Sequence, residues 1–274
     1  MNVRRILHHA LLADAGAHPR SLLLVLHGFF GAGRNWTTVA RGLVKARPGW
    51  GAVLVDLRLH GASQGFAPPH TLESCAGDLA ALEGTLAAPV RAVLGHSFGG
   101  KVALAYLARR PSGLRQVWVV DADPSAGVPQ GAAWEVLRAV EALPAVFARR
   151  EDLVARLERL GFDRRIGDWM ATNLEPADGG YRWRLDFAAL EALLRDFFRA
   201  DLWSVVEETP PGVALHVVRA TRSTVVAEAS AARLEAIGRA TGRVFVDDVA
   251  GGHWLNADNP EAVTALLAAR LPAA

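Results

Sequence analysis

Val90-Arg91-Ala92-Val93-Leu94-Gly95-His96-Ser97-Phe98-Gly99-Gly100-Lys101-Val102-Ala103-Leu104-Ala105-Tyr106 is an apolar run that reaches G-x-S-x-G and continues into helical spacing. It reads as strand, sharp turn, helix. Gly95 and Gly99 carry no Cβ where the chain reverses, so the serine between them can hold a strained conformation with its Oγ above the strand end. Ser97 is the candidate nucleophile. The N–H of Phe98 opens the following helix, where free amides and the helix dipole favour negative charge, which makes it a candidate oxyanion donor. A glycine turn with an incidental serine has the same letters; the strand before it and the helix after it separate the two readings.

Outward from this turn, the same alternation recurs. Ser21-Leu22-Leu23-Leu24-Val25-Leu26 has the continuous apolar character of a strand buried on both faces, and it runs into the loop His27-Gly28-Phe29-Phe30-Gly31-Ala32-Gly33. Backbone amides of such a loop can face a ligand, so the Phe29 N–H is the second candidate oxyanion donor. The loop lacks the lysine and hydroxyl residue of a P-loop and the spacing of a dinucleotide fingerprint. His27 reads as a bracing residue that also borders the substrate. Further strands are expected at 3–12, 52–56, 114–120, 213–218 and 243–246, with helices at 35–46, 72–86 and 229–241 and at the C-terminal end. Strand and helix in turn specify an α/β fold with a mostly parallel sheet, helices on both faces and ligands at the strands' carboxyl ends. Asp56 and Arg58, at one such end, read as a structural pair.

From 125 to 200 the pattern changes to helices, at 134–143, 150–160, 166–173 and 187–198, with no convincing strand. The expected organisation is a core of residues 1–124 and 201–274 with a helical cap, 125–200, inserted in it. Aromatics are dense there, and Trp134 and Trp169, with Trp254 beyond, are candidate walls of an apolar channel over Ser97. The arginines at 149, 150, 164 and 165 read as solvated surface.

Composition limits the classes available. About half of the 274 residues are apolar, enough for one substantial core. A net charge of only +2, with arginines scattered rather than massed among aromatics, gives no nucleic-acid footprint. Cys75 is the only cysteine, which excludes an intrachain disulfide and reads as a buried thiol on a helix face. No membrane span or signal peptide is expected and the default location is cytoplasmic; no histidine pair has metal-site context, and neither metal nor cofactor is expected.

His253, in Val249-Ala250-Gly251-Gly252-His253-Trp254, follows the last strand on a double-glycine loop, where a general base can reach Ser97 over the sheet edge. The order Ser97, acid, His253 then fits a hydroxyl nucleophile, a base and a carboxylate that orients the base. With these residues the chain resembles the α/β-hydrolase superfamily. The stretches His27–Gly31, Asp56–Ser63, Gly95–Lys101, Tyr181–Leu185 and Gly252–Trp254 resemble small bacterial esterases and acyl-CoA thioesterases related to the mitochondrial abhydrolase-domain proteins. In many superfamily members the acid follows the strand after the cap, but here that loop, Arg219-Ala220-Thr221-Arg222-Ser223-Thr224, holds no carboxylate. The resemblance to the esterases implies Asp121, at the end of the strand after the elbow helix, with Asp123 and then Glu228 as alternatives; Asp247 and Asp248 read as structural. The implied activity is hydrolysis of a small-molecule ester or thioester through an acyl-enzyme on Ser97. A carbon–carbon bond hydrolase or lyase, or a ligand-binding protein that keeps the same residues, stands as the alternative.

Overall fold

A computed structural model describes residues 5–14, 16 and 18–274. Its centre is a seven-stranded sheet built of β1 (His9–Leu12), β2 (Ser21–Leu26), β3 (Trp50–Val55), β4 (Val90–His96), β5 (Gln116–Val120), β9 (Ala214–Ala220) and β10 (Val244–Val249). The spatial order is β1-β3-β2-β4-β5-β9-β10. All neighbours are parallel except β1, which runs antiparallel to β3. The first part of the opening strand expected at 3–12 lies outside the described residues.

The apolar runs are continuous because both faces of the sheet are covered. Leu22, Leu24 and Leu26 join the core under α2 (Leu72–Glu83), α3 (Phe98–Ala108) and α9 (Glu228–Thr241), while Leu23 and Val25 join a second core under α1 (Thr37–Ala46), α10 (Leu255–Asp258) and α11 (Pro260–Arg270). Period-two alternation thus sends each strand's side chains into two separate cores. The helix after the turn, α3, is buried from Phe98 through Leu107, which explains why its sequence shows no polar face. Cys75 sits on the buried side of α2, and burial pushes its thiol well above the ordinary range.

Between β5 and β9 the chain forms α4 (Ala132–Glu141), α5 (Arg150–Arg159), α6 (Arg164–Ala171) and α7 (Phe187–Arg199), followed by α8 (Trp203–Glu207). The expectation of no strand here is corrected: β6 (Val146–Phe147), β7 (Leu174–Ala177) and β8 (Gly180–Trp183) make a small antiparallel sheet in the order β6-β8-β7. Its hairpin turns on Asp178-Gly179, a two-residue D-G loop with Gly179 at φ 81°. The strands have two to four residues, too few to register as periodicity.

One buried cation fastens this segment to the sheet. The three N–H bonds of Lys101 on α3 donate to the carbonyls of Ser125 (2.7 Å), Phe197 (2.9 Å) and Ala200 (2.8 Å), at the segment's entry and exit.

Candidate active site

The turn between β4 and α3 holds Ser97 at φ 53° and ψ −115°. That backbone is strained for any residue with a Cβ, and the residues two positions before and after it, Gly95 and Gly99, are glycine because a side chain does not fit there. A Cβ on Gly95 would lie 1.9 Å from the Gly99 carbonyl oxygen, and one on Gly99 would lie 2.6 Å from the His27 carbonyl oxygen. The close approach of strand to helix is what lifts the serine above the sheet.

His253 reaches Ser97 from the loop after β10, with Nε2 3.0 Å from Ser97 Oγ. Its Nδ1 lies 2.6 Å from Asp121 Oδ2. Asp121 follows β5 directly, is 1% exposed and also has a positive φ, 47°. Burial by itself would raise its pKa; hydrogen bonds from His253, Ser223 and the Ala220 N–H overcome that and hold the carboxyl below its ordinary range. An ionised Asp121 accepts the Nδ1 proton of His253, which leaves Nε2 as the acceptor facing Ser97.

The competing acids are engaged elsewhere. Asp123 accepts from the Ser125 N–H (2.8 Å) and the Ala227 N–H (3.2 Å), and Glu228 pairs with Arg219 on the surface. Asp247 and Asp248 pair with Arg270 and Arg219. The expected pairing of Asp56 with Arg58 is corrected: Arg58 pairs with Asp78 on α2 at 2.6 Å, whereas Asp56 accepts from the Gly33 and Ala62 N–H groups and stands 3.1 Å from His8 Nδ1.

Phe29 and Phe98 meet across the site, their buried rings edge to face at 5.4 Å. The Phe98 amide is the first of α3, and the turn at Phe29 places its amide on the opposite loop. Among the described residues neither N–H donates in the hydrogen bonds of the surrounding turns. His27 is 1% exposed; its Nδ1 donates to the Gly28 carbonyl (2.7 Å) and its Nε2 accepts from the Leu57 N–H (3.0 Å). It braces the loop, and burial lowers its pKa.

A cavity of about 250 Å³ opens over Ser97. His27, Trp169 and Trp254 border it, and Trp134 does not. On α4 it is Ala132, Ala133 and Val136 that face the cavity, and helical geometry turns Trp134 away, against Phe198 with Arg138 and Arg195 over its ring. Arg165 is exposed, in keeping with its reading as solvated surface, but its place at the cavity mouth, with the guanidinium 5.1 Å from the Trp254 ring, was not foreseen. His96, also missed, lines the cavity and donates from Nε2 to the His253 carbonyl at 2.6 Å. Its place beside Ser97 in the turn was the signal available. Among the described residues no cluster of histidine, cysteine and carboxylate side chains has metal-site geometry.

A sequence model of the alpha/beta hydrolase family matches residues 23–266. The chain belongs to the alpha/beta hydrolase family. Among its relatives, the sn-1-specific diacylglycerol lipase ABHD11 of Danio rerio is 28% identical over 87% of this chain and 74% of its own length. Lipase LipV of Mycobacterium tuberculosis is 28% identical over 91% of this chain and 92% of its own. A solved marine microorganism esterase superposes with a TM-score of 0.82 at 22% identity, covering 97% of this chain and 99% of that one, which shows the common fold. As an alpha/beta hydrolase the chain presents the family's mostly parallel sheet with Ser97 at its carboxyl edge. Among the described residues no helix is long and apolar enough to cross a membrane.

Proposed function

We propose that this protein is a serine hydrolase that cleaves carboxylic esters or thioesters through an acyl-enzyme on Ser97. The reading is carried by the continuous chain from Ser97 Oγ to His253 Nε2 (3.0 Å) and from His253 Nδ1 to Asp121 (2.6 Å) at the floor of a cavity. Relatives named lipases support ester bonds as the target. His253 takes the Ser97 proton as Oγ attacks the acyl carbonyl, and Asp121 stabilises the imidazolium that results. The Phe29 and Phe98 amides hold the oxyanion, aided by the N-terminal end of α3. Collapse of the tetrahedral intermediate expels the alcohol or thiol with the proton from His253. A water, deprotonated by the same base, then releases the acid.

Residues 125–200 act as a cap on the core formed by 1–124 and 201–274, and Trp169 and Trp254 supply the apolar walls against which the acyl group lies. A cavity of about 250 Å³ is slightly smaller than the roughly 300–1,000 Å³ of sites for drug-sized ligands, which favours acyl chains of modest length. The decisive experiment is hydrolysis of a chain-length series of p-nitrophenyl esters and acyl-CoAs by wild type and Ser97→Ala. Turnover confined to wild type supports the proposal and ranks the leaving groups; equal turnover by Ser97→Ala, with its fold intact, overturns it.

A further inference from the structure

At the edge of the sheet opposite Ser97, where the parallel strands begin, lies a groove of about 780 Å³. Four arginines stand along it in the order of the strands: Arg20 directly before β2, Arg91 as the second residue of β4, Arg115 directly before β5 and Arg243 directly before β10. Their main chains are held in register. The Arg115 N–H donates to the Arg91 carbonyl (2.8 Å), the Ala214 N–H to the Arg115 carbonyl (2.9 Å) and the Leu215 N–H to the Arg243 carbonyl (2.8 Å). With neighbouring strands about 4.8 Å apart, the row extends over roughly 19 Å.

Among the described residues these charges have no acidic side chain to balance them along the groove, and none of the four arginines forms an ion pair, although Arg270 nearby pairs with Asp247 at 2.7 Å. A carboxylate at Ala274, on the rim, would offset one charge of the four and leave three. Arg91 and Arg115 each direct one Nη1 hydrogen to a local carbonyl, of Gly113 (3.0 Å) and Leu114 (3.2 Å). Arg243 Nε is buried and has no acceptor among the described residues. Each guanidinium has five N–H donors in a rigid fork, so most of the donors along this wall remain free. Like charges gathered in a concave site raise the local potential and favour an anion there.

We propose that this groove binds a small molecule carrying two or more phosphoryl groups. Three or four clustered positive charges call for a multivalent anion, and the guanidinium fork matches phosphate oxygens two at a time. Phe245, stacked on His216 at 5.0 Å, forms an apolar flank at the β10 end for the organic part of the ligand. The recess accepts a small molecule and is poorly matched to a flat bilayer. Lying at the far edge of the sheet, the groove binds without occupying the cavity over Ser97, so the proposal is independent of the hydrolase reading.

The test is isothermal titration of the whole protein with sodium tripolyphosphate, with inorganic phosphate and anionic phospholipid vesicles as comparison probes. Wild type and Ser97→Ala should bind tripolyphosphate saturably at one site, more tightly than phosphate and more weakly as salt is raised. Arg91→Gln with Arg115→Gln, and separately Arg20→Gln, should weaken binding at least tenfold. Arg239→Gln, a change at an exposed position of α9 outside the groove, should not. The separate Arg20→Gln variant keeps the test open if the double variant fails to fold. Absence of saturable binding, equal loss in Arg239→Gln, or arginine-dependent binding of vesicles without binding of tripolyphosphate would each overturn the proposal.

Discussion

Replacing Lys101 by methionine should loosen the segment between β5 and β9 before it loosens the sheet. The Lys101 side chain is 2% exposed, and its ammonium spends all its N–H bonds on the carbonyls of Ser125, Phe197 and Ala200, with the Phe197 ring 4.7 Å from Nζ. Burial pushes its pKa down to about 8, against the pull of Asp123, Asp201 and Asp196. Methionine keeps the length and removes every donor. Each carbonyl left bare costs about 1–3 kcal/mol, and relief from desolvating a buried cation returns several kcal/mol, so the net loss is about 3 kcal/mol. At about 2–4 °C per kcal/mol for a large domain, Tm should fall by roughly 6–12 °C. Arginine should be no substitute, because a planar fork cannot aim at the same convergent carbonyls. Hydrogen exchange locates the loss: amides of α4 through α7 should lose protection before those of β4 and β5. An unchanged Tm, or protection lost uniformly over the molecule, would refute the clasp.

Further expectations concern the site and its surroundings. Asp121→Asn should keep the fold and lower kcat by about 10⁴-fold, because an amide no longer selects the His253 tautomer that accepts from Ser97; ester hydrolysis within tenfold of wild type would move the acid elsewhere. Trp169→Ala, which removes a wall of the cavity, should raise kcat/KM for long acyl chains relative to short ones by about tenfold or more, and an unchanged preference would remove Trp169 from the acyl site. Stability should also fall on mild acidification. Burial pushes the pKa of His60 and His96 down to about 3 from 6.5, so the unfolded chain takes up protons first. Their contribution is complete above pH 6.5 and declines between 6.5 and 3, by up to about 1.4 kcal/mol per pH unit for each imidazole. Urea unfolding at pH 7 and pH 5 reads this directly. His60→Phe should flatten the slope, and a stability constant over that interval would contradict the assignment of both imidazoles as buried and neutral.

Much of the core was legible because its determinants are local or periodic. A strand covered on both faces must be apolar throughout, which is why 21–26 and 90–95 could be read directly. The turn at Ser97 announces itself because a Cβ at Gly95 has nowhere to go. The small sheet of β6, β7 and β8 was missed because its strands are too short to show a period, although Asp178-Gly179 marked the hairpin. Trp134 was misplaced because aromatic density in a helix does not say which face meets the cavity; that depends on how α4 packs.

Sequence by itself determined the layered α/β architecture and the chemistry offered at the strand ends, since these depend on side-chain type and spacing along the chain. Which carboxylate meets His253 is not fixed by residue type or spacing; beyond what the resemblance to the esterases implied, the tertiary structure decided it. Asp121, Asp123 and Glu228 are equivalent as acids, but only Asp121 leaves β5 at a positive φ that turns its carboxyl toward the loop after β10. The basic groove was likewise invisible, because Arg20, Arg91, Arg115 and Arg243 are far apart in the chain and become one surface only where parallel strands begin along a common edge.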